Sequence, residues 1–218
     1  MLSYLHSIHK DMYNTKCPGY KVFEKDYINR LMLPTNTQIQ QIQNLIKPYS
    51  HSYNVYKNIP WKFLISKDLE QDLYFTQDDY IIIPQNNIDQ LTYKTLLHEK
   101  THIIQRKHQD KFNEWYKKYY YPEFKDVLSI NNIKNDVKKH IMVNPDSNGT
   151  LWTNTHNNIV FPVYNHYLEY WEYDGENIIP SNYTYDHPNE KFASDLANLF
   201  QTDETVPESI DAFLSSLE

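Results

Sequence analysis

A chain of 218 residues with 40% hydrophobic and 15% aromatic side chains can bury the core of one large domain, or of one domain with a smaller lobe. The net charge of −7 argues against a general nucleic-acid binder, and with only 3 glycines Gly-rich phosphate loops are excluded. A mean hydropathy of −0.75 reflects abundant Asn, Gln, Lys and Tyr rather than disorder, no apolar run approaches a membrane span, and one cysteine, Cys17, leaves no internal disulfide framework.

The first ten residues lack the basic start and continuous apolar core of a signal peptide, so the expected setting is intracellular and reducing. Asn148 and Asn182 each begin an Asn-x-Thr triplet, read here as accidental acceptors. The Asn/Ile/Lys/Tyr bias is what an AT-rich coding genome imposes, as in large DNA viruses or some parasites.

Residues 1–34 read as irregular, with short strands near Tyr20–Phe23. Thr35 or Asn36 is placed to cap a helix that runs through Ile39, Ile42, Leu45 and Ile46 to Pro48. Trp61–Ile65 and Tyr80–Ile83 read as strands joined by an acidic connection, and the second cannot continue past Pro84. Asp89 then suits an N-cap, and Leu96, Leu97, Ile103 and Ile104 recur at helical spacing. A second helix is expected over residues 112–121, ending at Pro122. Residues 140–187 carry turn signals around short aromatic runs, which predicts short strands and loops. Pro188 suits the first turn of a further helix, with Phe192, Leu196, Leu199 and Phe200 on its apolar face and Ala193 and Ala197 allowing close packing. Glu208–Leu217 adds a last short helix. The expected class is α+β, with a mixed sheet and helix in an N-terminal lobe of residues 1–110 and a mainly helical and looped C-terminal lobe of residues 111–218.

The densest chemical signal is His98-Glu99-Lys100-Thr101-His102, an H-E-x-x-H motif on the helix after Pro84. Positions i and i+4 share a helix face, so two imidazoles can reach one metal ion at about 2.0–2.1 Å each. Glu99 is turned roughly 100° from His98 and reaches a water in the ion's open position rather than the ion itself. A catalytic zinc ion takes three protein ligands and keeps the fourth position for water. The longer motif with a glycine three residues on fails, because Gln105 stands there, and His108 lies too far along an unbroken helix to join. Glu190, in the first turn of the helix opened by Pro188, is the better third ligand.

H-E-x-x-H on one helix and a glutamate on a second resembles the gluzincin, or thermolysin-like, metallopeptidases, over about Tyr80 to Phe200. That resemblance implies a zincin-like fold with zinc in the groove between the lobes, ligated by His98, His102 and Glu190. It also implies hydrolysis of peptide bonds, with Glu99 as the base that assists attack by water on a peptide or protein substrate in the cleft. A Tyr or His would stabilise the oxyanion, and Tyr185 and His187 are preferred over His166 and Tyr183. Relatives often place an acidic residue four positions after the ligand glutamate to orient a histidine; here Ser194 stands there, with Asp195 next. The competing readings are an inactive zincin-fold interaction protein and a zinc hydrolase of a non-peptide amide. Tyr80–Ile83 is the candidate strand edge for an extended peptide. Cys17, ahead of the catalytic region, reads as an ordinary free thiol.

Overall fold

Short apolar runs and capped amphipathic segments build the elements of this chain, seen here in a computed structural model. It describes residues 30–46, 53–67, 74–121, 123–129, 150–165, 167–183, 185, 187–202 and 205–217. The expected strands near Tyr20–Phe23, and Cys17 and His166, lie outside them. The architecture is mixed α+β and divides into two units, Arg30–Phe112 with Lys191–Glu218 and Met1–Asn29 with Asn113–Glu190. Residues 191–218 therefore belong with the unit that carries H-E-x-x-H.

In that unit four strands form one mixed sheet. β1 (Leu31–Met32) runs antiparallel to β2 (Phe63–Ser66), which lies parallel to β4 (Tyr80–Pro84). β3 (Phe75–Gln77) closes the sheet antiparallel to β4, giving the order β1-β2-β4-β3. β4 is thus central, and Ile81, Ile82 and Ile83 are buried as expected of a strand covered on both faces. The expectation that Tyr80–Ile83 offers a free edge to a peptide is overturned, because both of its sides are paired. β3 fell inside the stretch read as a plain connection. It turns into β4 through Asp78, whose φ of +52° an aspartate tolerates better than most residues.

Helix starts follow side-chain capping. Thr35 and Gln38 exchange hydrogen bonds in a capping box, the Thr35 N–H reaching Gln38 Oε1 at 2.8 Å and the Gln38 N–H reaching Thr35 Oγ1 at 3.3 Å. That starts α1 (Asn36–Ile46), and α2 (Asn54–Asn58) follows. The motif helix, α3 (Tyr93–Lys107), is capped by Thr92, whose Oγ1 accepts the Thr95 N–H at 3.1 Å. Asp89 is not its cap: after Pro84 the chain makes a 3-10 turn over Gln85–Gln90, and Asp89 is spent inside it. α3 ends at His108, and α4 (Gln109–Tyr119) begins at once, three residues ahead of the expected start.

The core of this unit joins sheet and helices. Leu96, Leu97, Ile103 and Ile104 on α3 are buried, each contributing roughly 1.5–3 kcal/mol through the water it no longer orders. α5 (Pro188–Gln201) supplies Phe192 and Leu196, and α6 (Glu208–Ser215) supplies Leu214. Phe112 meets Phe192 and Phe213 edge to face, at centroid distances of 5.2 and 4.8 Å. The Tyr53 hydroxyl donates to Asp211 at 2.7 Å, tying α6 down.

The other unit is richer in strand than the sequence reading expects. β5 (Val127–Ser129) pairs antiparallel with β6 (Thr150–Trp152). β7 (Ile159–Asn165), β8 (Tyr167–Tyr173) and β9 (Ile178–Pro180) form an antiparallel meander. Pro162 sits on β7, an outer strand of this three-stranded sheet, where its missing N–H is tolerated. Leu151, Ile159, Phe161 and Tyr173 form its core, with Leu128, Trp171 and Ile178 against them. No helix among the described residues is long and apolar enough to cross a membrane.

Candidate metal centre

Helical geometry carries the site. With Thr92 fixing the start of α3, His98 and His102 fall one turn apart on one face. Their rings lie 4.6 Å apart between centroids and nearly perpendicular, at 84°, which turns the Nε2 atoms toward each other at 2.9 Å. Glu190 comes from the first turn of α5, and its ligand oxygen and the two histidine nitrogens all lie within 4.8 Å of one another. Among the described residues these three form the one cluster able to hold a metal ion.

The donor set fits zinc. Two imidazoles and one carboxylate are the His₂Glu ligation of catalytic zinc sites. Tetrahedral bonds of 2.0–2.1 Å would hold two nitrogens about 3.3 Å apart, so the pair need open by only about 0.4 Å. His98 and Glu190 are half-buried and His102 is buried.

The second ring nitrogens are also engaged. His102 Nδ1 lies 2.7 Å from Gln105 Oε1, and His98 Nδ1 lies 3.4 Å from Ser194 Oγ. Ser194 follows Glu190 by four residues on α5, so one face of that helix addresses the site twice. Asp195, the alternative orienting residue, forms an i,i+4 ion pair with Lys191 at 3.7 Å. Glu99 is buried on α3. Tyr74 is held above the usual tyrosine range by its burial and then by the Glu99 carboxylate, and its hydroxyl donates to Asn87 O at 2.7 Å. Lys100 is buried with its ammonium 3.8 Å from the Trp61 ring centre, and burial pulls its pKa down to about 7.

The remaining expected residues are placed as follows. His187 is buried at the start of α5, where its Nδ1 accepts the Asn189 N–H at 3.1 Å and its ring stands edge-on to Trp152 at 6.2 Å. Its position is that of a helix cap. Tyr185 is half-buried two residues earlier, and Tyr183 is half-buried with its N–H on Ser181 Oγ at 3.1 Å. Neither Tyr185 nor His187 is one of the three clustered groups. His108 forms the C-cap of α3, its N–H bonding Ile104 O at 3.1 Å. Burial, then the charges of Lys111 and Lys107, hold it below the usual histidine range. Gln105 was read only as the residue that breaks a longer motif. Its i+3 spacing from His102 was the available signal of contact.

No protein-family model, curated protein or solved structure matched the chain when it was compared with them. The chemistry of the cluster therefore carries the functional reading.

Proposed function

We propose that this chain is a zinc-dependent metallopeptidase of gluzincin type. The observation that carries the reading is the convergence of His98, His102 and Glu190 within 4.8 Å, with Glu99 next to His98 on the same helix. Three basic ligands meeting in a half-buried site are favourable when a cation joins them. A zinc ion held there would polarise a substrate carbonyl and acidify water. His98, His102 and Glu190 would hold the ion, and Glu99 would take the proton from the attacking water and deliver it to the leaving amine.

Peptide mixtures incubated with zinc-loaded protein, followed by mass spectrometry, test the reading. Cleavage is expected, and Glu99→Gln should keep the metal while losing about 10²–10⁴-fold in turnover. Full activity in Glu99→Gln would remove Glu99 as the base. Zinc uptake without cleavage of any peptide would contradict peptidase activity.

A further inference from the structure

Gln105 is wholly buried, at 0% exposure, on a helix where an apolar side chain of similar size would fill the same volume. A buried amide costs about 1–3 kcal/mol unless its polar atoms are hydrogen-bonded. Its carbonyl oxygen faces His102 Nδ1 at 2.7 Å, a short contact. An amide oxygen only accepts, so Nδ1 carries the proton. In the neutral imidazole this leaves the lone pair on Nε2, the atom that faces His98 at 2.9 Å within the cluster. The contact between the two Nε2 atoms is a hydrogen bond, so with the lone pair on His102 the proton sits on His98 Nε2, and the Ser194 hydroxyl, 3.4 Å from His98 Nδ1, can donate or accept there.

We propose that Gln105 is the positioning residue of this centre. Its side-chain oxygen locks His102 in the Nδ1–H form and holds the ring so that Nε2 is ready before a cation arrives. His98 joins the ion second, because the proton on its Nε2 must first move to Nδ1, where the Ser194 hydroxyl can accept it. This inference rests on the metal reading above and adds an order to the assembly: one ligand is built in advance and one adjusts. Partners of this kind change metal affinity by about 10–100-fold.

Two measurements on the full chain test it: nitrogen-15 NMR of the histidine rings in metal-free protein, and zinc affinity by chelator competition. Wild type should show His102 protonated on Nδ1. Gln105→Leu, which keeps the volume and removes the acceptor, should lose that single form and bind zinc about 10–100-fold more weakly. Gln105→Glu restores an acceptor oxygen and should recover both, and it decides the matter if Gln105→Leu does not fold. A wild-type His102 protonated on Nε2, or a folded Gln105→Leu with wild-type zinc affinity, would overturn the role of Gln105 alone. Wild type that takes up no zinc would overturn the metal reading and the positioning role with it.

Discussion

Glu172 on β8 and Glu190 on α5 are both half-buried carboxylates, yet their neighbours differ in kind. Asn154 Nδ2 and Asn158 Nδ2 donate to one oxygen of Glu172 at 3.0 and 2.9 Å, and Ser181 Oγ donates to the other at 3.0 Å. Asn154 Oδ1 in turn accepts the N–H groups of His156 and Asn158. The protein supplies those donors, and the result is a fixed loop between β6 and β7. Around Glu190 the clustered atoms are nitrogens of His98 and His102, each of which offers a lone pair to a cation when its ring proton sits on the other nitrogen. A network of donors around an acid is complete in itself. Two imidazoles and a carboxylate are instead a donor set that a cation can join, and on the proposed reading this contrast separates a structural carboxylate from a ligand.

The comparison can be broken from either side. The largest effect is expected from Glu190→Ala, which should weaken zinc binding by roughly 10²–10⁴-fold in chelator competition, about a third of the ligation energy being lost. Glu172→Ala should leave that affinity at the wild-type level. It should instead cost about 1–3 kcal/mol in urea unfolding, since Asn154, Asn158 and Ser181 lose their shared acceptor. Equal effects of the two substitutions on zinc would erase the distinction. Thr92→Ala removes the cap of α3 and is expected to cost about 1 kcal/mol of stability. An unchanged melting temperature would count against that cap.

The smallest effect concerns pH. Burial alone would raise Asp79, but the Lys107 ammonium at 2.9 Å, joined by Lys62 at 3.4 Å, outweighs it and holds the carboxyl below its ordinary value of 3.8. A depressed carboxyl stabilises the fold above its unfolded pKa and loses that contribution as pH falls through the lower folded value. Urea midpoints of wild type and Asp79→Asn should therefore differ at neutral pH and converge in acid. A gap that persisted in strong acid would exclude the ion pair as its source.

The two histidines were legible because four-residue spacing on a helix dictates a shared face whatever the tertiary structure. Glu190 was legible through Pro188, which marks the first turn. Thr35 was legible for the same local reason, its capping partner being three residues away. What escaped depends on contacts distant in sequence, or on choices between similar local options. Asp89 and Thr92 are both good caps, and the 3-10 turn after Pro84 decided between them. The inner place of β4 follows from pairing with β2 and β3, which no pattern within Tyr80–Pro84 encodes. β3 was too short, at three residues, to show an alternation. Gln105 resembles any polar residue on a helix until its burial against His102 is seen.

The central claim is that His98, His102 and Glu190 together hold one cation. Equilibrium dialysis of the purified chain against zinc, with elemental analysis, measures this directly. The account predicts one zinc ion per chain in wild type and none retained when His98, His102 and Glu190 are all replaced by alanine in a protein that still folds. No zinc in wild type, or full uptake by the folded triple variant, would contradict it.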